Sequence, residues 1–140
     1  MGLCAIVAHQ PAGIAASSFT SVSLDPPLVS VCIADTSTTW PLLRAVGRLG
    51  VSVLSADAEA VCRRLAAKSR DRFDGLSWRA DANGSVFLDQ AVLHLDCSIE
   101  QEVAAGDHQI VVMRLHRIKV LPGRGPLVFH GSRFRHLVDA

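Results

Sequence analysis

Two apolar stretches open the chain. Residues 3–9, LCAIVAH, and residues 13–19, GIAASSF, predict a β-hairpin turned by QPAG, a Pro/Gly turn. Residues 28–34, LVSVCIA, are a nearly continuous apolar run with three β-branched members, which predicts a central strand buried on both faces. Pro26 and Pro27 cannot donate ladder hydrogen bonds, so this strand is expected to start after them. DTSTTWPLLRAVGRLG predicts a loop and a short helix, with Asp35, Ser37 and Thr38 as capping candidates and Pro41 in the first turn. VSVLS at 51–55 is a further strand. ADAEAVCRRLAAKS at 56–69 is an amphipathic helix in which Val61, Leu65 and Lys68 lie one turn apart. Residues 72–85 are polar and glycine-bearing, hence a loop.

From Ala91 onward the period changes to two. Val92, His94, Asp96 and Ser98 alternate with Leu93, Leu95, Cys97 and Ile99, and residues 108–121 follow suit in their second half. AAGD makes the reversal between them, and GRGP leads into LVFH and the closing GSRFRHL. Long strands joined by hairpins, with helices inserted, predict a mainly β protein and an antiparallel barrel rather than a sandwich.

Composition narrows the function classes. The chain has 140 residues, which predicts a single domain over 1–140. A 49% hydrophobic, 19% charged composition favours a buried core, and a formal net charge of +1 provides no basic surface for nucleic acid. No apolar run reaches the roughly 18 residues of a membrane span. The opening MGLCAIVAH lacks a basic n-region, so a cytoplasmic location is expected. The four cysteines, at 4, 32, 62 and 97, have no zinc or CxxC spacing and read as reduced, mostly buried thiols. No metal site is expected. There is no GxGxxG, Walker A loop, GxSxG or HExxH.

Three segments carry candidate chemistry. Ser17, Ser18, Thr20, Ser21 and Ser23 put five hydroxyls into SSFTSVS. Such a cluster satisfies loop backbone, or cradles an anion or polar ring together with DTSTT after the next strand. Gly106, Asp107 and His108 are either a hairpin turn with a solvated histidine, or a histidine oriented by its aspartate over a bound ring. AAKSRDRF ends a predicted helix in Lys68, Arg70 and Arg72, as solvated charge or as a phosphate clamp.

Together these segments resemble one family. GIAASSFTSVSLDPPLV is similar to the G-V-T-A-N-S-F-T-S-V-S-L-D-P-P-L-V signature of the short-chain flavin reductases, the flavin-binding split-barrel domains. Ala15 stands where threonine is common and Ser17 where asparagine is. Residues 47–78 resemble the family's strand, helix and D-K-F-x-G-x-x-W segment, with Arg72 for the lysine and Leu65 for a usual phenylalanine. Residues 93–120 resemble its L-x-C…G-D-H-x-I block, with Met113 for a usual glycine. GPLVFHGSRFRHL resembles its closing segment, with Phe129 and Phe134 for tyrosines.

The resemblance implies an FMN-binding split β-barrel, antiparallel and of Greek-key type. It also implies an NAD(P)H-dependent flavin reductase that passes a hydride from nicotinamide to FMN, or FAD, and supplies reduced flavin to a partner monooxygenase. By the same resemblance Ala16, Ser17 and Ser18 line the flavin ring. Thr20, Ser37 and Thr38 serve the ribityl chain and phosphate, and Cys32, Ile33 and Ala34 offer backbone groups to the pyrimidine edge. Ser69 and Arg72 reach the phosphate, and His108 is the catalytic residue beside the nicotinamide. A homodimer is implied, with no nucleic-acid or membrane partner. Family members carry a helix ahead of the first strand; this sequence starts close to that strand, and a site built without that helix is expected. Two alternatives stand beside this: a split-barrel protein with tightly bound flavin, as an oxidase or another reductase, and a non-catalytic flavin- or haem-binding module.

Overall fold

A computed structural model describes residues 1–138. In it β1 (Gly2–Val7) and β2 (Gln10–Ala15) form an antiparallel hairpin whose last pair is Val7 with Gln10. Ala8 and His9 make the turn, at φ of 48° and 66°. Two left-handed central residues match the twist of the flanking strands. The expected QPAG turn is therefore displaced: Pro11 and Ala12 lie within β2, which ends at Ala15 and not at residue 19. Pro11 is tolerated there because β2 is an edge strand of its sheet.

β3 (Thr20–Leu24) and β4 (Pro27–Ala34) follow, so β4 begins on Pro27 rather than after it. Val29, Val31 and Ile33 are buried but Cys32 is exposed; the expected burial on both faces fails at the end of β4, where one face opens to a cleft. α1 (Trp40–Arg44) carries Pro41 in its first turn and buries Trp40 and Leu43. β5 (Leu49–Leu54) precedes α2 (Glu59–Ala66), which buries Val61 and Leu65. α2 is shorter than the expected 56–69, because Ala67 is already extended, at ψ 152°. Lys68, Ser69, Arg70 and Arg72 thus lie on the loop beyond it, not on its last turn.

The expected loop at 72–85 is partly a hairpin arm: β6 (Trp78–Ala80) pairs with β7 (Val86–Leu88). β8 (Ala91–Ala105) and β9 (His108–Val120) form a long hairpin turned at Gly106 and Asp107. β10 (Val128–His130) and β11 (Arg133–Arg135) close the described chain.

Seven strands form one sheet in the order β2-β1-β5-β8-β9-β4-β3. Its edge strands, β2 and β3, are consecutive in sequence and joined only by residues 16–19. A flat sheet would hold them six spacings apart, about 29 Å, whereas five peptide steps reach at most about 18 Å. The sheet must roll until its edges approach. The long hairpin shows how: β5 pairs with residues 91–97 of β8, while β4 pairs with residues 108–114 of β9. The two ends of the hairpin therefore belong to different walls, and bulges at Asp96/Cys97 and Ile99/Gln101 bend it between them.

One core fills the roll, with Leu3, Val31, Leu43, Leu49, Val51, Leu95, Val111 and Met113 at its centre. A second lies under α2 and β7, from Cys4, Leu54, Val61, Leu65, Val86 and Leu88. The β6–β7 hairpin reaches the barrel at Gly50, where an added Cβ would stand 2.1 Å from the Val86 carbonyl oxygen. It also covers the polar face of β8. Asp96 is buried and accepts from Ser85 Oγ at 2.7 Å, Arg48 Nε at 3.1 Å and Arg117 Nε at 3.2 Å. Burial alone would raise this carboxyl, but the Arg48 and Ser85 hydrogen bonds outweigh it and hold the pKa below the usual value.

Candidate functional site

The rolled edges enclose a cleft of about 1230 Å³. Its walls are the 16–19 connection, the end of β4, the loop at 36–39, α2, the start of β9 and the β10–β11 hairpin.

The 16–19 connection and β4 are fastened by one side chain. Ser18 Oγ accepts the Cys32 N–H at 2.8 Å and donates to the Cys32 carbonyl at 3.2 Å. β3 pairs with β4 only as far as Ser30, so Ser18 completes the ladder one step on. Ladder alternation turns the backbone groups of Ala34 to the same vacated edge. The Ala34 carbonyl takes the Ser37 N–H at 3.0 Å. The Ser37 hydroxyl in turn accepts the Trp40 N–H at 3.1 Å, so it serves the start of α1.

Of the residues expected at a ligand, Ala16, Ser17, Ser18, Cys32, Ile33, Ala34, Ser37, Thr38, Arg72 and His108 all line this cleft. Thr20 and Ser69 do not. Thr20 sits on exposed β3 with its hydroxyl 3.4 Å from the Ser21 carbonyl, and the Ser69 hydroxyl accepts the Asp71 N–H at 3.1 Å in the loop after α2. Arg72 crosses the cleft floor: its Nη1 donates to the Gly13 carbonyl at 2.9 Å and to Thr39 Oγ1 at 3.0 Å. That leaves Nε and Nη2 of the guanidinium for a ligand.

His108 opens β9 opposite Ala34. Its Nδ1 lies 2.7 Å from Asp107 Oδ1. This hydrogen bond, with the imidazole's charge, holds the Asp107 carboxyl below the usual carboxylate range. Asp107 thereby fixes the ring's orientation at the cleft mouth.

Sequence reasoning missed Thr36, Thr39, Arg63, Phe129 and Phe134 among the lining residues. The two threonines belong to the DTSTT segment already singled out. Phe129 and Phe134 stood out only as replacements for tyrosines of the closing segment, and Arg63 had no such signal, because α2 and β10–β11 meet only through the tertiary fold. None of the described residues lining the cleft is Asp or Glu, while Arg63, Lys68 and Arg72 are cationic. A cleft of that charge suits an anion. Small side chains at Ala16 and Ser17, the Ala34 N–H at the end of β4, a hydroxyl loop and these cations form a donor set that suits a flavin's ring, ribityl chain and phosphate.

Comparison with known proteins places the chain in a family. A flavin reductase like domain model matches residues 3–138. The chain is 39% identical over 133 residues to a flavin reductase of Pseudomonas putida, covering 92% of this chain and 78% of that one. It is 32% identical over 124 residues to the flavin-dependent monooxygenase reductase subunit HsaB of Rhodococcus jostii, covering 89% and 64%. Its fold superposes on the Streptomyces globisporus NADH:FAD oxidoreductase SgcE6, solved in complex with NAD and FAD fragments, with a TM-score of 0.90 at 35% identity, covering 98% and 84%. With residues 3–138 matched, nearly its whole length, the chain belongs to the family of flavin reductase like domains.

Proposed function

We propose that this chain is an NADH-dependent flavin reductase that releases reduced flavin to a separate monooxygenase. The observation that carries the reading is the single carboxylate-free cleft, which brings the 16–18 segment, the vacated β4 edge, the hydroxyl loop and His108 together. A bound flavin supplies the two-electron acceptor and the nicotinamide supplies the hydride. The chain's own part is positional. Ala16 and Ser17 leave room for a flat ring beside the backbone. At the β4 edge the Ala34 N–H faces its polar rim, because Ser18 already holds both backbone groups of Cys32. Thr38 and Arg72 take the phosphate side, with Lys68 adding charge. His108, oriented by Asp107, steadies the nicotinamide, so that the two rings meet at contact distance. No side chain has to donate or remove a proton for a hydride to pass.

FAD is the first flavin to expect and FMN the second, because the Streptomyces globisporus relative was solved with NAD and FAD fragments. NADPH is the alternative reductant. We further propose that the 140 residues act as one domain, in the cytoplasm, as a homodimer. Leu24 at 95% exposure, Ile118 at 60% and Val120 at 67% are the apolar side chains a second copy would cover.

The test is purified protein in air with NADH and a catalytic amount of FAD or FMN, following NADH absorbance. Loss of NADH that depends on added flavin supports the reading, and the flavin with the larger kcat/KM is the substrate. Absence of turnover with either flavin and either nicotinamide would overturn it. Sedimentation across a concentration series tests the dimer.

A further inference from the structure

We infer that Phe129, Phe134 and Arg63 form a stacking site for the adenine ring of a dinucleotide, at the rim of the cleft. This rests on the reductase reading above. Phe129 and Phe134 are directly opposed across the β10–β11 hairpin, with ring centroids 5.2 Å apart and planes at 59°. The Arg63 guanidinium carbon stands 4.9 Å from the Phe134 ring centre. Glu59 pins that guanidinium through Nε at 2.9 Å and Nη2 at 2.7 Å. The three side chains come from the β10–β11 hairpin and α2, remote in sequence, and still form one contiguous surface.

That surface is not used up by the fold. Phe129 is 53% exposed and the Arg63 side chain 66% exposed, yet all three residues line the cleft. An aromatic ring left half in water beside a cavity has a free face to offer. Aromatic rings and arginine planes are the two surfaces on which nucleobases stack, and neither demands a particular hydrogen-bond pattern. The cleft's size asks for such a ligand. At about 1230 Å³ it exceeds the roughly 300–1,000 Å³ of a site for one drug-sized molecule. Lys68 makes no ion pair among the described residues and lines the same cleft, where it would face the diphosphate of a dinucleotide. Glu59 neutralises Arg63, which suits a flat, uncharged base better than a phosphate.

Adenine can arrive on FAD or on NADH, and ligands lacking it separate the two. The variant is Phe129→Leu, which keeps an apolar cross-strand partner for Phe134 but removes the aromatic face. KM is measured for FAD against FMN, and for NADH against reduced nicotinamide mononucleotide. We expect KM to rise about fivefold or more, the lower end of a lost base–aromatic stack, for one adenine-bearing ligand and less than twofold for its adenine-free counterpart. A rise for FAD places the flavin's adenine on the rim; a rise for NADH places the nicotinamide cofactor's. Equal effects within both pairs, or no effect, would overturn the inference. A control on unaltered protein needs no variant: ADP-ribose should inhibit competitively against the same ligand, while ribose 5-phosphate should not, and failure of ADP-ribose to compete would likewise overturn it. If the unaltered protein turns over no flavin, the reductase reading itself has failed; if it does and these contrasts are absent, only the adenine site has.

Discussion

Ser18 and Cys32 satisfy each other through both backbone groups of Cys32: the hydroxyl accepts its N–H at 2.8 Å and donates to its carbonyl at 3.2 Å. The Ser18 side chain is therefore committed to holding the rim of the cleft rather than to a ligand. Ser18→Ala should cost about 1 kcal/mol of stability, the net value of such a bond. It should raise the flavin KM several-fold while kcat stays within about twofold, because the wall moves but the reacting rings do not change. Steady-state kinetics beside a denaturant melt reads both; a collapse of kcat with unchanged KM would contradict a positioning role.

His108 and Asp107 make the complementary prediction for the nicotinamide side. His108→Ala should lower kcat/KM for NADH by about tenfold, the loss of one oriented contact, and leave flavin affinity unchanged. Flavin titration by fluorescence quenching and NADH kinetics separate the two effects. Unaltered NADH oxidation would remove His108 from the site.

Gly50 is needed for the approach of β7 to β5. A methyl group there meets the Val86 carbonyl oxygen at 2.1 Å and the Val86 nitrogen at 2.9 Å, and backbone atoms cannot rotate aside. Gly50→Ala should destabilise by about 3 kcal/mol or more, at the upper end of overpacking costs. Chemical denaturation measures it. Gly47→Ala, with nothing within 4 Å of an added Cβ, is the control and should be near neutral.

His94 predicts a pH dependence of folding. It is 4% exposed, and its Nε2 lies 2.8 Å from the Leu88 carbonyl, so Nε2–H donates and Nδ1 faces Arg79 Nη2 at 3.4 Å. Burial is the main cause that lowers its pKa, and the nearby Arg79 and Lys119 charges add to it against the Leu88 bond. The unfolded state then binds the proton more readily than the native state. The contribution is fully present above the unfolded value of about 6.5 and is lost as pH falls from there to the lower folded pKa. Stability should fall with a slope approaching about 1.4 kcal/mol per pH unit below that point. His94→Gln should flatten the slope in melts between pH 5 and 7.5; an unchanged slope would assign it to other groups.

The longer strands were legible because period-two alternation and apolar runs are written locally, and the Gly13–Val29 signature pointed to the family; β3 and β6 are short and carry neither pattern. Ala8–His9 escaped notice because left-handed turns are normally marked by Asn-Gly, so the Pro/Gly pair three residues on drew the turn to itself. The end of α2 escaped because Ala67, Lys68 and Ser69 have no helix-stopping chemistry of their own. Ser18 was legible as a site residue, but its partner was not: a hydroxyl's hydrogen bond 14 residues away depends on how the sheet rolls.

What the sequence alone determined was therefore the strands β1, β2, β4, β5, β8 and β9 in outline, the family, and the segments 16–18, 32–34, 37–38 and 108 that meet at the cleft. Each is a property of short-range pattern or of a contiguous motif. Only the tertiary structure decided that Thr20 and Ser69 lie off the cleft, that Arg72 is tied to Gly13 and Thr39, and that Arg63 from α2 stacks on Phe134 from β11. These depend on closing a rolled sheet whose edges are joined by residues 16–19, and such long-range geometry has no local trace in the chain.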